Sequence, residues 1–220
     1  MTQVTKLYIL VQIYMDNNIF IGIAGNIGVG KTTFTNILGD HFQFSKYFES
    51  VSDNPYLSDF YKDMDRWSFN LQIYFLHHRF ASHLDMMRSP QNVIQDRTIY
   101  EDVEIFATNL FDSRFMSERD WQTYHNLFKN MEQFLKKPSL IIYLKASVDT
   151  LLSRIKNRQR SFENDISSEY LFKLNLLYDS WINKLDKKDV LIIETDQFNV
   201  FQDHEQLNQI FSSIQKKLSI

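Results

Sequence analysis

Short apolar runs alternate along the chain with longer stretches in which apolar residues recur every three or four positions. The runs Ile19 to Ala24, Tyr47 to Glu49, Val93 to Gln95, Leu140 to Leu144 and Val190 to Glu194 read as strands. Between them the spacing predicts helices over Lys31 to Leu38, Asn54 to Lys62, Trp67 to Arg88, Asp102 to Phe111, Glu118 to Lys136, Val148 to Asn157, Ser168 to Lys187 and His204 to Leu218. In the longest of the early ones, Phe69, Ile73, Phe75, Leu76 and Phe80 follow helical rather than strand spacing. Strands that alternate with helices predict an α/β fold: a five-stranded parallel sheet flanked by helices. No repeat, low-complexity tract or linker interrupts the pattern, so residues 19–220 read as one domain. Residues 1–18 read as an N-terminal extension. A second methionine, Met15, just before the first strand makes residues 1–14 a dispensable segment or an upstream start.

Composition narrows the class. The chain has 220 residues, 44% hydrophobic and 23% charged, which fits an ordinary globular protein. With 24 Lys and Arg against 27 Asp and Glu, the net charge of −3 supplies no broad basic field, so no nucleic-acid partner is expected. The absence of cysteine removes disulfides, thiolate nucleophiles and thiolate metal ligands. His77, His78 and His83 share one predicted helix without an H-E-x-x-H arrangement and read as solvated or half-buried residues. The apolar stretch Leu7 to Met15 is interrupted by Gln12 and preceded by a single Lys6, which makes a poor signal peptide. No segment approaches 18 uncharged apolar residues, so no membrane partner is expected and a cytoplasmic location is.

The backbone itself is unusual in one place. Average usage would give roughly 15 glycines in this length, but there are 5, all between Gly22 and Gly39. Within that window, Gly25-Asn26-Ile27-Gly28-Val29-Gly30-Lys31-Thr32-Thr33 matches G-x-x-x-x-G-K-[ST], directly after a predicted strand and before a predicted helix. Glycines there let backbone N–H groups turn toward a β-phosphate, and the helix N-terminus adds positive potential. Lys31 would bridge β and γ oxygens, and the Thr32 hydroxyl would reach Mg²⁺. Gly39 reads as the stop of the following helix. The loop fixes a nucleotide site without fixing what happens to the phosphate, since motors, switches and small-molecule kinases all carry it. Five strands without an oligomerising extension favour a small-molecule kinase.

Such a kinase needs a base beside the acceptor hydroxyl, a carboxylate near Mg²⁺ and cations for the transferring phosphoryl group. These groups collect at strand C-termini of an open α/β sheet. Glu49 ends the second predicted strand and Asp96 follows the third, with Arg97 beside it; Glu194 and Asp196 at the end of the fifth are rivals. Arg154, Arg158 and Arg160 crowd a helix end before the polar run Gln159 to Ser168. They form either a solvated basic face or a lid, at about residues 154–168, that closes over ATP and excludes water.

These residues also carry a family resemblance. The ordered set Gly25 to Thr33, Phe48-Glu49-Ser50-Val51, Asp53-Asn54-Pro55-Tyr56-Leu57, Arg66-Trp67-Ser68-Phe69, Asp96-Arg97-Thr98-Ile99-Tyr100-Glu101-Asp102 and Arg154 to Glu163 resembles the deoxyribonucleoside kinases. The similarity is greatest to their bacterial deoxyadenosine/deoxycytidine branch, and it runs from about Phe20 to Thr195. It implies a P-loop kinase fold, Mg²⁺ with ATP, a role in nucleotide salvage and a homodimer formed through the helices Trp67 to Arg88 and Asp102 to Phe111.

The resemblance assigns roles one residue at a time. Glu49 matches the base that accepts the proton of the sugar 5′-hydroxyl, Arg97 the arginine beside it, and Asp96 the acidic residue serving Mg²⁺. Tyr61 and Glu163 match the pair on the 3′-hydroxyl. Gln72 matches the reader of the base edge, Arg79 with Asp102 the pair that completes base recognition, and Phe106 the aromatic stacked on the base. Arg154, Arg158 and Arg160 match lid arginines that hold the donor. Gln72 with Arg79, seven apart, and Asp102 with Phe106, four apart, each share a helix face. Two departures stand out: the lid reads Arg158-Gln159-Arg160 with no glycine between the arginines, and Leu71 replaces an aromatic beside Gln72.

A carboxylate facing the base favours an amino-bearing partner over thymine, whose carbonyl would meet it without a proton between them. Deoxyadenosine, deoxycytidine or deoxyguanosine is therefore expected over thymidine. The competing readings are a nucleoside monophosphate kinase, which needs further cations for its acceptor's phosphate, and a nucleotide-binding module without phosphoryl transfer.

Overall fold

The computed structural model describes residues 18–48, 54–160, 163 and 166–220. The predicted extension therefore lies outside the described residues except at Asn18, and so do Glu49 and Asp53. Five strands form one sheet, β1 (Phe20–Gly25), β2 (Ser45–Tyr47), β3 (Val93–Asp96), β4 (Leu140–Lys145) and β5 (Val190–Glu194), in the order β2-β3-β1-β4-β5. Every pairing is parallel. The central strand β1 is buried at all its positions because helices cover both faces. From β1 the chain goes first to one side, building β2 and β3, and then to the other, building β4 and β5. That reversal opens a crevice at the carboxyl ends of the strands around β1.

Helix α1 (Lys31–Phe42) follows the glycine-rich loop. It does not stop at Gly39 as its sequence predicted. It runs one turn further and ends at Gln43, whose φ of 57° is left-handed and whose N–H bonds the Gly39 carbonyl. Gly39 serves packing instead, since a Cβ there would meet Lys46 Cγ at 2.4 Å. The strand predicted at Tyr47 to Glu49 begins earlier, at Ser45, because Ser45 aligns with Val93 and Tyr47 with Gln95.

Next come α2 (Leu57–Lys62) and α3 (Met64–Met87), separated at Asp63, whose carboxylate accepts from Arg66 N–H at 3.1 Å. This cap moves the start of α3 ahead of the predicted Trp67. After β3, a short α-turn (Ile99–Glu101), a π-helical stretch (Asp102–Ala107) and an α-helical stretch (Thr108–Asp112) form one continuous helix, α4, residues 99–112. Thr98 and Glu101 form a reciprocal capping box at its start. Helices α5 (Glu118–Glu132), α6 (Val148–Arg158) and α7 (Ser168–Lys184) each begin at a serine cap, Ser117, Ser147 and Ser167, and α8 (His204–Leu218) closes the chain.

Two large buried clusters hold these layers, with a small third one at Phe20, Met86 and Val93. One surrounds the sheet and includes Ile21, Ile23, Leu38, Ile94, Ile142 and Leu174. The other lies among α2, α3, α4 and α5 and includes Phe60, Leu71, Leu76, Val103, Leu110 and Phe128. Each fully buried side chain of this kind contributes roughly 1.5–3 kcal/mol. The crevice lies where the two clusters meet, so it has the sheet edge on one side and the helical layer on the other.

Candidate active site

The glycine-rich loop leaves β1 through three glycines with left-handed backbone, at φ 150° (Gly25), 86° (Gly28) and 105° (Gly30). At Gly25 a Cβ would lie 2.6 Å from the Leu144 carbonyl oxygen, so the close passage of the loop over β4 demands glycine. Lys31, the first residue of α1, turns its ammonium back under the loop, donating to the carbonyls of Gly25 at 2.8 Å and Asn26 at 3.0 Å. Asn26 is tied to α7, donating to Leu171 O at 2.9 Å and Asn175 Oδ1 at 2.8 Å. Gly28, Val29, Gly30 and Lys31 to Thr33 all line the crevice with Ile27.

The third strand delivers the acid. Asp96, buried at the end of β3, accepts from the Thr32 hydroxyl at 2.5 Å through Oδ2. Its Oδ1 is also buried and has no hydrogen-bond partner among the described residues. A hard cation matches this donor set, a hydroxyl and a carboxylate oxygen with spare lone pairs. Arg97 follows in a left-handed conformation, φ 66°, anchored by its N–H to Ile23 O at 3.0 Å. Its guanidinium carbon lies 4.2 Å from the centroid of the Phe106 ring.

From the helical layer, Arg79 on α3 grips Asp102 on α4 with two hydrogen bonds, Nε to Oδ2 at 2.6 Å and Nη2 to Oδ1 at 3.1 Å, and donates a third to Arg97 O at 3.1 Å. Both partners are buried. Gln72, one helical face along on α3, is 2% exposed, and its Oε1 has no partner among the described residues. Gln72, Asp102 and Phe106 line the same cavity, of about 980 Å³, as Lys31 and Asp96.

Tyr61, at the end of α2, also lines it. Burial pushes the Tyr61 hydroxyl well above its ordinary pKa, with Tyr170 and Glu163 adding and Arg97 and Arg158 opposing. It stays a neutral donor at physiological pH. Glu163 is buried and takes Arg158 Nε at 2.5 Å on Oε2 and Arg158 Nη2 on Oε1, with Arg160 3.7 Å away. Arg154 is placed differently from the other two arginines. It sits under the glycine-rich loop, donating to Val29 O at 3.0 Å and to Thr195 Oγ1 and O at 3.1 and 2.6 Å. Of the rivals, Asp196 lines the cavity but spends its carboxylate on the start of α6, accepting from Ser147 N at 2.9 Å and Oγ at 3.0 Å. Glu194 is exposed at the end of β5.

Sequence spacing did not reveal the whole lining. Phe60, Leu71, Phe75 and Tyr170 join the wall, as does the segment from Thr195 to Phe201 after β5. Tyr170, on the first turn of α7, carried no signal of its own. In the segment after β5 only Asp196 carried a signal, as a carboxylate at a strand end; the rest carried none, because only the fold brings Phe198 beside Phe34 of α1.

The model of the deoxynucleoside kinase family matches residues 21–219. The chain belongs to that family. It is 36% identical over 203 residues to a deoxyadenosine/deoxycytidine kinase of Bacillus subtilis (strain 168), covering 91% of this chain and 94% of the relative. It is 41% identical over 193 residues to a deoxyadenosine kinase of Dictyostelium discoideum, covering 88% and 78%. A solved structure of deoxyadenosine kinase from M. mycoides, with products dCMP and a flexible dCDP bound, superposes with a TM-score of 0.79 at 29% identity, over 89% of this chain and 100% of that one. The five-stranded parallel sheet is that of the P-loop kinases, and this deoxynucleoside kinase is an ATP-dependent phosphotransferase. No helix among the described residues is long and apolar enough to cross a membrane.

Proposed function

We propose that the enzyme transfers the γ-phosphoryl group of ATP to the 5′-hydroxyl of an amino-bearing deoxynucleoside, deoxyadenosine, deoxycytidine or deoxyguanosine, in preference to thymidine. The observation that carries the base preference is the buried Arg79–Asp102 pair, with Asp102 lining the same cavity as Gln72, whose Oε1 has no partner among the described residues. Arg79 fixes the Asp102 carboxylate at the cavity wall, and an exocyclic amino group can donate to a carboxylate oxygen, whereas a thymine carbonyl would face oxygen with no proton between. The relatives are named as kinases of deoxyadenosine, deoxycytidine and deoxyguanosine, which agrees with this preference.

The remaining roles follow the family resemblance, and most of them fall on residues that line the cavity. The loop Gly25 to Thr33 cradles the donor phosphates, with Lys31 leaving its two carbonyls for phosphate oxygens and Arg158 and Arg160 closing from the lid. Arg154 supports the loop from below and reaches the donor through that position. Thr32 and Asp96 would hold Mg²⁺, which neutralises charge on the β- and γ-phosphates when bound. Tyr61 and Glu163 orient the sugar through its 3′-hydroxyl, Phe106 stacks on the base, and Glu49 receives the 5′-hydroxyl proton while Arg97 meets developing charge on the phosphoryl group. In a loose transition state little proton removal is needed early, so positioning contributes more than the basicity of Glu49.

A second copy of the chain is proposed as partner through α3, where Phe69, Ile73 and Phe80 share a face and are only half buried. The reading of substrate is tested by incubating the four deoxynucleosides with ATP and Mg²⁺ and scoring monophosphate product. Highest turnover with an amino-bearing base is expected; thymidine as the best substrate would overturn it.

A further inference from the structure

Outside the groups already given roles, one carboxylate among the described residues is fully buried behind the phosphate loop. Glu101, 0% exposed, stands on the first turn of α4 beside Asp102. Its Oε2 accepts from Thr98 N at 2.8 Å, and its Oε1 accepts from the Gly25 N–H at 3.3 Å and lies 2.7 Å from the Tyr178 hydroxyl on α7. The same hydroxyl lies 2.8 Å from the Gly25 carbonyl, which also receives Lys31 Nζ at 2.8 Å. The N–H and C=O of Gly25 are thus both met by side chains. Glycine at φ 150° is free of steric penalty but loses more conformational freedom on folding than any other residue, so bonds to both of its peptide groups restrict the loop where it is least restricted by sterics.

We infer that Glu101 and Tyr178 are a positioning pair: they fix the first peptides of the phosphate loop and tie it to the helix that carries Asp102 and Phe106. The inference rests on reading Gly25 to Thr33 as the donor cradle. Neither residue touches the reacting atoms. Their effect passes through Gly25 to the carbonyl on which Lys31 rests and to the direction in which the loop N–H groups point. Burial raises the Glu101 carboxyl above its ordinary pKa, with the charges of Arg97 and Lys31 opposing, so the pair sits inside the same field as the cations that meet phosphate. Since α4 also carries the base-side residues, the connection joins the donor and acceptor halves of the cavity through one side chain.

The test compares wild type, Glu101→Gln, Tyr178→Phe and the double variant. Kinetics are taken with ATP varied at saturating deoxynucleoside, and deoxynucleoside affinity is measured by calorimetry without donor. Each single variant is expected to lower kcat/KM for ATP about tenfold, the effect of one lost buried hydrogen bond, with deoxynucleoside Kd within about twofold of wild type. The double variant is expected to be no worse than the worse single one, because both act on one peptide. Tyr178→Phe removes a single oxygen and keeps the measurement available if Glu101→Gln does not fold. Unchanged ATP parameters, an equal loss of deoxynucleoside affinity, or multiplicative effects in the double variant would each overturn the pairing. Full activity of Lys31→Ala would instead overturn the donor-cradle reading beneath it.

Discussion

The Arg97 guanidinium and the Phe106 ring are stacked, 4.2 Å from cation to centroid, so the residue expected at the phosphoryl group rests on the residue expected beneath the base. The contact exists because Arg97 leaves β3 with a left-handed backbone, while Phe106 lies in the π-helical stretch of α4, where the wider turn redirects side chains. Phe106→Leu keeps an apolar wall and removes the π face. It should raise KM for the deoxynucleoside and also lower kcat, by roughly 3- to 30-fold, the range of a partly desolvated cation–π contact. Steady-state kinetics decide it: a raised KM at unchanged kcat would make Phe106 a platform for the base alone.

Arg79 and Asp102 form a buried bidentate pair, and removing one partner leaves the other charge without its counterpart in a medium that solvates it poorly. Asp102→Asn should therefore destabilise the fold by about 3–5 kcal/mol, read from urea unfolding. In the same variant the preference against thymidine should narrow, because a side-chain amide can donate to the thymine carbonyl where a carboxylate cannot. Full stability would mean that the other contacts of Arg79, among them Arg97 O, hold it adequately.

Legibility in the sequence followed how local each constraint is. The phosphate loop was fully legible, because its chemistry fixes residue types at fixed spacing within nine positions and the strand before it and helix after it could be read from periodicity. The end of α1 was not. Gly39 looks like a stop, but the Lys46 side chain packed over it is a tertiary fact, and the residue that does take the left-handed conformation is Gln43. The Arg79–Asp102 pair spans 23 positions, and nothing in helical spacing alone joins α3 to α4 there. Family resemblance supplied it. Arg154 shows the opposite case: it was grouped with the lid because it precedes Arg158 by one turn, but that same turn points it beneath the loop toward Val29 and Thr195. Glu101 stands in the Asp96 to Asp102 motif without a role, because a carboxylate one residue from another looks redundant until burial distinguishes them.

The Thr32–Asp96 contact predicts a metal phenotype separable from binding of the acceptor. Asp96→Asn keeps the hydrogen bond from Thr32 possible while removing the charge that complements a divalent cation. The variant should need a higher Mg²⁺ concentration for half-maximal turnover and lose roughly 10²-fold in kcat, with deoxynucleoside Kd unchanged. A magnesium titration at fixed ATP reads this directly, and an unaltered titration curve would remove Asp96 from the metal site.

Glu49 lies outside the described residues, and its role rests on sequence position and the family resemblance. Glu49→Gln retains size and loses the ability to take a proton. A fall in kcat of roughly 10²-fold or more, with deoxynucleoside binding by calorimetry little changed, is the expected outcome. Turnover equal to wild type would exclude Glu49 as the base.

His83, on α3, is buried, and its Nε2 lies 3.0 Å from Lys136 O, so a neutral ring donating through Nε2 is satisfied there. Its Nδ1 has no partner among the described residues, and the Phe20 ring stands edge-on at 5.3 Å. Protonation would put a second N–H into this apolar corner, and burial accordingly lowers the His83 pKa to about 4, only partly offset by the Lys136 carbonyl. The unfolded chain, at about 6.5, takes up the proton first as pH falls. Between those two values the unfolded state holds more protons, so stability is complete above about pH 6.5, declines as pH drops toward 4 and levels off below it. At pH 5 the loss from this group should be about 2 kcal/mol. Urea unfolding at pH 7.5 and 5 checks it against His83→Gln, whose side-chain amide can still donate to Lys136 O but cannot titrate. The variant should lose less stability than wild type over that interval, and an identical loss in both would assign the acid sensitivity to other groups.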